Sequence, residues 1–253
     1  MANKKIALIT GGSRGLGKDM ALRLAENGHD IIITYQSQKE MAAEVVATIE
    51  TKGQKAVALH FDAADFKSLD NFVEQLKQTL ESKWGKSSFD FLVNNGGIGA
   101  TIPFAKATEE DFDRFMNIHF KSVYFLTQKL LPIMNDKGRV INISSGSTKF
   151  AVPGYSIYAS MKGAIETFTR YLAKELGSRG ITANVIAPGP IETDFNNAAI
   201  RNNPERKAMM AANIALGRVG EAKDIGGIVA FLCSEDAGWI NAQRIEASGG
   251  MNL

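Results

Sequence analysis

The sequence predicts an α/β protein: a single-domain, doubly wound parallel sheet of about seven strands with helices on both faces. Short apolar runs alternate with longer amphipathic segments along all 253 residues, which is the order of elements in a parallel sheet. Most of these runs are continuously apolar rather than alternating, as in strands that are covered on both faces. Because no linker, charge block or internal repeat interrupts the pattern, we expect residues 1–253 to form one domain.

Seven apolar runs carry the strand prediction. Each is short, rich in aliphatic, β-branched or aromatic residues, and followed by a polar or glycine-containing segment. In chain order they are KKIALIT at 4–10, HDIIITY at 29–35, KAVALHF at 55–61, FDFLVN at 89–94, GRVINIS at 138–144, GITANVI at 180–186 and QRIEA at 243–247.

Six amphipathic stretches between these runs are predicted to be helices, because apolar residues recur in them every three or four positions. In chain order they are 15–28, 38–52, 66–83, 109–135, 155–177 and 221–233. The first shows the pattern: Leu16, Met20 and Leu24 fall on one face, and Gly28 is placed to end the helix.

The alternation of strand and helix patterns is interrupted once, at 188–220, between a strand and a helix. This segment is long and polar in its middle. It is either a surface excursion or a mobile lid over a pocket, since long segments of this kind in compact domains are often lids. We expect a substrate lid at about 191–216.

Composition limits the classes of protein to which the chain can belong. Hydrophobic residues make up 45% and charged residues 22%, and the net charge is +2, so the chain is neither disordered nor a dedicated nucleic-acid binder. No run approaches the roughly 20 apolar residues that span a bilayer, and the first apolar run is too short for a signal peptide. The single cysteine, Cys233, fits a reducing compartment. We expect a soluble, cytoplasmic protein without nucleic-acid or membrane partners.

The three histidines give no indication of a metal site. His29, His60 and His119 are scattered, and the sequence contains neither an HExxH motif nor paired cysteines, which are typical of metal ligation. We therefore expect no catalytic metal, and structural or surface roles for these side chains.

A glycine-rich turn follows the first strand and opens the first helix. It reads TGGSRGLGKD at 10–19. The spacing from Gly12 to Lys18 fits a nucleoside-triphosphate loop, but Asp19 stands where such a loop needs Ser or Thr for Mg²⁺. The succession of strand, glycine turn, helix and second strand instead favours a dinucleotide site; a glycine turn without a ligand stays open at this point.

The charges near the second strand distinguish between two dinucleotides. NAD-binding units carry Asp or Glu at the end of that strand, about 20 residues past the loop, but the segment 34–38 reads TYQSQ and contains no acid. Arg14 lies within the loop, where it could meet a 2′-phosphate, and Gln36 and Ser37 offer hydrogen bonds. These residues favour NADP(H) over NAD(H), unless Arg14 is only a solvated surface cation.

Three side chains downstream suggest acid–base chemistry on a carbonyl. Tyr158 and Lys162 are four residues apart and share a helix face; an ammonium near a phenol favours the phenolate and lowers its pKa. Ser145 follows the strand GRVINIS, at the edge of a parallel sheet where ligands bind. Alone, each has a plain structural explanation: a lysine beside a half-buried tyrosine, and a serine that ends a strand.

Taken together, the motifs resemble the short-chain dehydrogenase/reductase family, and most closely its 3-oxoacyl-acyl-carrier-protein reductase group. The motifs are TGGSRGLG at 10–17, NNGG at 94–97, FMNIHF at 115–120, INISS at 141–145, YASMK at 158–162, PGPIETD at 188–194 and SGGM at 248–251. The resemblance covers essentially the whole chain and implies a Rossmann-type fold, a homotetramer or homodimer, and an NADP(H)-dependent activity.

The resemblance also implies roles for individual residues. Ser145, Tyr158 and Lys162 would form a catalytic triad, and Asn117 would complete a tetrad by holding a water that relays protons to Lys162. The residues implied to contact the cofactor are Gly11, Ser13, Arg14, Gly15, Leu16, Gly17, Gln36, Ser37, Asp62, Ala63, Asn95, Gly97, Tyr158, Lys162, Pro188, Gly189, Ile191 and Thr193.

Three positions depart from the family pattern. Gly96 stands where the family usually has Ala, and Ala242 and Ser248 replace the more usual Gly and Asp near the last strand. Because that last segment packs at subunit interfaces in the family, its departures bear on oligomerisation; none touches the four implied catalytic residues.

The prediction for function is therefore an NADP(H)-dependent reductase that converts a ketone, with a 3-oxoacyl thioester among the candidates, into a secondary alcohol. Tyr158 would act as general acid. A small free ketone, sugar or steroid-like alcohol is the alternative substrate class, and a non-catalytic dinucleotide sensor is the alternative function. Phe150, Phe195, Met209 and Met210 suggest an apolar substrate lining, although core packing explains them equally well.

Overall fold

One sheet of seven parallel strands forms the centre of the molecule in the computed structural model, which describes residues 4–253. The strand order is β3-β2-β1-β4-β5-β6-β7. The strands are β1 (Ile6–Ile9), β2 (Asp30–Tyr35), β3 (Ala56–His60), β4 (Phe89–Asn94), β5 (Met134–Ile143), β6 (Thr182–Pro188) and β7 (Arg244–Ala247). The order reverses between β1 and β4, and such a switch point opens a crevice at the carboxyl ends of the strands.

Helices surround this sheet. They are α1 (Gly15–Glu26), α2 (Lys39–Thr51), α3 (Leu69–Trp84), α4 (Glu109–Met116), α5 (Ser122–Leu130), α6 (Ser156–Leu176), α7 (Phe195–Ala198), α8 (Pro204–Ala212) and α9 (Lys223–Cys233). The predicted fold class and the seven strands are confirmed.

Alternate residues of the central strand feed two separate cores, which explains the continuously apolar runs. In β1, Ala7 and Ile9 pack into a cluster with residues of α1, α2 and α9. Ile6 and Leu8 pack into a second cluster with residues of α3, α5 and α6. All four side chains are fully buried, so neither face of the strand requires a polar residue.

The predicted helix at 109–135 is wrong in its details. After α4 the chain makes one wider, π-helical turn at Asn117–Lys121 and continues as α5, which ends at Leu130. Pro132 lies in the short 3-10 turn that follows, where its ring and missing N–H end the helix. Met134 already pairs with Phe89 as the start of β5.

The segment 188–220 contains helical structure, which the prediction of a surface excursion did not include. It holds the single turn α7 and the helix α8, and Asn196, Asn197 and Ala198 have positive φ of 52°, 56° and 54°. Three consecutive residues in the left-handed region store backbone strain. That this segment acts as a lid at 191–216 stays a prediction.

Candidate active site

The carboxyl ends of the strands open into one cavity of about 640 Å³. Its walls come from the loops that follow β1, β2, β3, β4, β5 and β6, together with α6 and the α7–α8 segment. Ser145, Tyr158 and Lys162 line this cavity, and so does every residue implied to contact the cofactor. The geometry thus brings together residues that lie as far apart in the chain as Gly11 and Thr193.

The glycine turn forms one end of the cavity. Gly11 has a φ of 66°, and a Cβ on Gly17 would lie only 2.2 Å from the Gly11 carbonyl oxygen, so both positions require glycine. The turn is held to β2 because Thr34 accepts hydrogen bonds from the N–H groups of Gly11 (3.1 Å, at Oγ1) and Gly12 (2.8 Å, at O). No side chain caps the N-terminus of α1, which leaves its N–H groups free to bind an anion.

Asn95 connects the glycine turn to the loop after β4. Its side-chain amide donates to the carbonyl oxygens of Thr10 at 2.9 Å and Gly11 at 3.2 Å. Its neighbour Asn94 is buried and donates to Thr127 and Asn142 instead, which makes Asn94 a structural residue. The two asparagines therefore have different roles: Asn95 shapes the cavity and Asn94 fastens the sheet.

The far side of the glycine turn carries a free positive charge. Arg14 is exposed, lines the cavity with Gln36 and Ser37, and has no ion pair within residues 4–253. The only carboxylates on the cavity wall are Asp62, which accepts from the Ala64 N–H at 2.8 Å, and Asp194, which pairs with Arg201 at 2.7 Å. The exposed Arg14 side chain therefore makes this part of the cavity wall suitable for binding a phosphate group.

Ser145 and Tyr158 lie at the opposite end. Ser145 follows β5 and accepts hydrogen bonds at Oγ from the Ser147 N–H (3.2 Å) and hydroxyl (2.9 Å). Tyr158 lies in the first turn of α6, near Ser145. Burial raises the pKa of Tyr158 to about 12, while the nearby Ser145 hydroxyl lowers it by less, so the phenol keeps its proton at neutral pH.

Lys162 lies one helical turn beyond Tyr158 and is only 5% exposed. Its Nζ donates to the Ile143 carbonyl oxygen at 2.7 Å and lies 5.7 Å from the centroid of the Tyr158 ring. Burial lowers the pKa of Lys162 to about 8. The expected lowering of the Tyr158 pKa is not observed, because loss of solvent around the buried phenol is the largest influence on it and raises it.

Asn117 is not among the residues that line the cavity; His119 is. His119 is 1% exposed, which agrees with the structural rather than the surface role expected for it. The helical period contained the signal: Phe115, His119, Ser122 and Leu126 recur every three or four residues and all are buried, whereas Asn117 falls off that face.

A charged network that the sequence did not predict supports the Ser145 loop. Arg244 in β7 donates from Nε to Glu166 of α6 at 2.8 Å and from Nη2 to Thr148 at 3.0 Å. Glu166 also accepts from the hydroxyl of Ser144 at 2.7 Å. These partners come from the segment after β5, from α6 and from β7, and they lie up to 96 residues apart in the chain, so no local sequence pattern indicates them.

Several apolar side chains contribute to the cavity wall. Phe150, Phe195 and Met210 line it as predicted, but Met209 does not and is 62% exposed. Tyr155 also lines it, and its hydroxyl accepts from Asn196 of α7 at 3.0 Å.

Two expected absences concern metals and membranes. Within residues 4–253, no three His, Cys, Asp or Glu side chains lie close enough to hold a metal ion together. Over the same residues, none of the helices combines the length and the apolar character needed to cross a bilayer.

Known proteins resemble the chain throughout. A family model described as enoyl-(acyl carrier protein) reductase matches residues 11–252. The 3-oxoacyl-[acyl-carrier-protein] reductase FabG of Staphylococcus aureus (strain Mu50 / ATCC 700699) is 37% identical over 255 residues, covering 100% of both chains. The promiscuous reductase LugOII, which catalyses keto-reduction at C1 during lugdunomycin biosynthesis, has a TM-score of 0.94 at 37% identity and covers 98% of each chain. The angucycline C-6 ketoreductase LanV, solved with bound NADP, has a TM-score of 0.94 at 38% identity and covers 98% of this chain and 96% of its own. With its fold, its motifs and these matches in agreement, the chain belongs to the short-chain dehydrogenase/reductase family.

Proposed function

We propose that this protein is an NADPH-dependent reductase that converts a ketone into a secondary alcohol, with Tyr158 as the proton donor. The observation that carries the proposal is the layout of the cavity: a phosphate-binding glycine turn and the free Arg14 lie at one end, and Ser145, Tyr158 and Lys162 lie at the other. LugOII and LanV, which match the whole fold, are ketoreductases by description.

The residues present fit NADPH. A backbone cradle that a single Cβ on Gly17 would fill and the uncapped N-terminus of α1 would hold the pyrophosphate. Arg14, with Gln36 and Ser37, would meet the 2′-phosphate. When bound, NADPH supplies the hydride for the carbonyl carbon. The remaining cofactor contacts named above belong to this same proposal, because they line the cavity between its two ends.

The protein's own residues supply the proton and the orientation. Ser145 and Tyr158 would both hydrogen-bond the carbonyl oxygen and hold it at the phenol. Tyr158, whose pKa of about 12 keeps it protonated, donates its proton as negative charge develops on that oxygen. Lys162, with a pKa of about 8, is largely charged at neutral pH and stabilises the phenolate that Tyr158 leaves behind.

The substrate in this proposal is an apolar ketone. Phe150, Tyr155, Phe195 and Met210 line the cavity, and Tyr155 and Phe195 lie against the Tyr158 ring. Such a wall gains free energy by covering apolar substrate surface. The segment 191–216 would close over the substrate as a lid. A 3-oxoacyl thioester, the substrate class that the name of FabG indicates, is the alternative within the same chemistry.

The assembly and the location complete the proposal. We propose a cytoplasmic homotetramer, with a homodimer as the smaller alternative. Trp239 is 99% exposed and Tyr171 is 64% exposed, and large exposed aromatic side chains favour contact with another chain. Light scattering coupled to size-exclusion chromatography measures the assembly directly.

The experiment that tests the function follows the absorbance of the reduced nicotinamide with a panel of carbonyl compounds. The panel contains multi-ring aromatic ketones, small aliphatic ketones and 3-oxoacyl thioesters, each with NADPH and with NADH. We expect oxidation of NADPH, faster than of NADH, with the apolar ring ketones as the best substrates. Binding of NADPH without turnover of any compound would favour the dinucleotide sensor and contradict the proposal.

A further inference from the structure

His119 occupies the cavity wall beside the phenol of Tyr158. It lies in the π-helical turn Asn117–Lys121 between α4 and α5, an irregularity that recurs at functional sites. Its ring stacks on Phe115 with centroids 5.4 Å apart and meets the Tyr158 ring edge to face at 5.2 Å. The imidazole is therefore held between the two rings, and the wider turn carries it to that position.

One ring nitrogen of His119 holds the loop that follows β4. Its Nε2 lies 2.9 Å from the Ile98 carbonyl oxygen and 3.3 Å from the Ile98 nitrogen. Because a neutral imidazole nitrogen either donates or accepts, the shorter contact assigns the proton to Nε2. Burial and the nearby Lys162 charge keep the pKa of His119 well below its usual value, which agrees with a neutral ring.

The other ring nitrogen of His119, Nδ1, indicates that the imidazole has a role besides packing. His119 Nδ1 is buried without a hydrogen-bond partner in the described part of the chain. A buried unpaired polar atom costs about 1–3 kcal/mol, so an apolar ring would serve better as a filler. Gly97 makes room for the imidazole, since a Cβ there would lie 2.7 Å from His119 Cε1 and 3.1 Å from Nδ1.

We propose that His119, and not Asn117, is the positioning residue that completes the group around Tyr158. Its neutral imidazole fixes the Tyr158 ring through the edge-to-face contact and fixes the Ile98 backbone through the Nε2–H hydrogen bond. The phenol and the cavity wall opposite it are thereby held in one geometry. This inference rests on the proposed ketone reduction, since the phenol is its proton donor.

The test compares two replacements with the wild-type enzyme. His119→Leu fills the space but cannot bond to Ile98, whereas His119→Asn keeps an amide donor. We expect His119→Leu to lower kcat about 100-fold, the effect of a misplacement of about 1 Å at a reacting group. KM for the ketone and Kd for NADPH should change less than about threefold, because the loss is confined to the transition state. His119→Asn should recover kcat to within about tenfold of wild type, as the residual misplacement is smaller.

The acid side of the pH profile gives a readout that packing alone would not move. The charged or titratable groups that face this wall are Tyr155, Tyr158 and Lys162 from α6 and Arg114 from α4; the loop at 95–102 contributes none. Protonation of His119 would place a second positive charge near Lys162. The wild-type kcat should therefore fall on acidification below the usual histidine range, and His119→Asn should lack that fall.

A control variant separates the loss of the His119 contacts from a general effect of replacing a histidine. His29→Leu removes a histidine that packs on Phe91 away from the cavity and should leave kcat unchanged. A His119→Leu enzyme with kcat within threefold of wild type would overturn the proposal. Equal losses in the Leu and Asn variants would overturn the role of the Ile98 hydrogen bond.

A measurement on the wild-type protein covers the case of a variant that does not fold. Nitrogen-15 NMR of the imidazoles, assigned with His29→Gln and His60→Gln, reports the protonation of each ring. His119 should stay neutral, with its proton on Nε2, at pH values where an ordinary histidine is already charged; a charged ring at neutral pH or an Nδ1 proton would overturn the inference. Because NMR needs no turnover, it stands even if no ketone is reduced, which would contradict the proposed function alone.

Discussion

At one end of the cavity the wall is mostly backbone: the glycines at 11, 15 and 17 and the N–H groups of α1. At the other end it is made of side chains that meet from β5, α6 and the turn before α5. The first end depends on a short local motif. The second depends on packing between segments that are far apart in sequence, so changes at the two ends should affect different measured quantities.

The largest effect should follow Tyr158→Phe, which removes the proton donor and keeps the ring. We expect kcat to fall by about 10²–10⁴, the usual contribution of a general acid, with Kd for NADPH nearly unchanged because the glycine-turn end is intact. Steady-state rates and a fluorescence titration with NADPH measure both. Tyr124→Phe, on α5 and outside the cavity wall, is the matched control, and retained turnover in Tyr158→Phe would remove this residue from the mechanism.

A change at the other end should alter cofactor affinity and spare the chemistry. Arg14→Gln removes the free cation, and the loss of a charge-assisted hydrogen bond should weaken NADPH binding about 10- to 100-fold. NADH, which has no 2′-phosphate, should bind as before, and kcat at saturating NADPH should stay near wild type. Arg170→Gln on the outer face of α6 is the control. Equal weakening of both cofactors would place Arg14 elsewhere than at the 2′-phosphate.

At the side-chain end, the buried Lys162 should lower the free energy of unfolding. Lys162 is buried with a pKa of about 8, below that of the unfolded chain, so its charge opposes folding at neutral pH. We expect Lys162→Met to raise the free energy of unfolding by about 1–3 kcal/mol at pH 7 while abolishing activity.

The pH dependence of that gain in stability identifies the buried Lys162 charge as its cause. Between about pH 8 and the unfolded pKa, the unfolded chain binds more protons at this residue than the folded chain, so the cost of Lys162 disappears as pH rises. The gain of the Met variant should shrink accordingly. Lys174→Met on the exposed side of α6 should show no such trend, and a gain that does not depend on pH would contradict the account.

The smallest effect should follow a substitution outside both ends of the cavity, at Ala242. Ala242 has a φ of 59°, where an L-residue is strained by about 1–2 kcal/mol. Ala242→Gly relieves this strain but increases the entropy of the unfolded chain, so we expect Tm to rise by only about 1–3 °C, without change in kcat or in Kd for NADPH. A lower Tm would show that the Ala242 methyl group makes a stabilising contact.

The contrast between the two ends also explains what could be predicted from the sequence. The strands, the first helix and the glycine turn follow from local periodicity and from the steric needs of Gly11 and Gly17, and they were predicted correctly. The helix predicted over 109–135 was wrong in its details, and α7 and α8 were not predicted. The position of Ser145 followed from the rule that ligands bind at the carboxyl edge of a parallel sheet.

Three features of the side-chain end were not predicted from the sequence. The motif suggested Asn117, whereas the structure brings His119 to the cavity, in agreement with the buried helix face that His119 shares with Phe115 and Leu126. The pKa of Tyr158 depends on how much water the folded chain removes, and its neighbour Lys162 could not reveal that balance. Arg244 supports the Ser145 loop from a strand at the far end of the chain.

Transfer of the hydride itself is the most direct test of the central claim. The enzyme would be given NADPH carrying deuterium at the transferable position of the nicotinamide, together with an apolar ring ketone, and the alcohol would be analysed by mass spectrometry and NMR. The account predicts one deuterium on the carbinol carbon for each NADPH oxidised, and loss of the label transfer in Tyr158→Phe. An alcohol without deuterium on that carbon, or oxidation of NADPH without any alcohol, would contradict it.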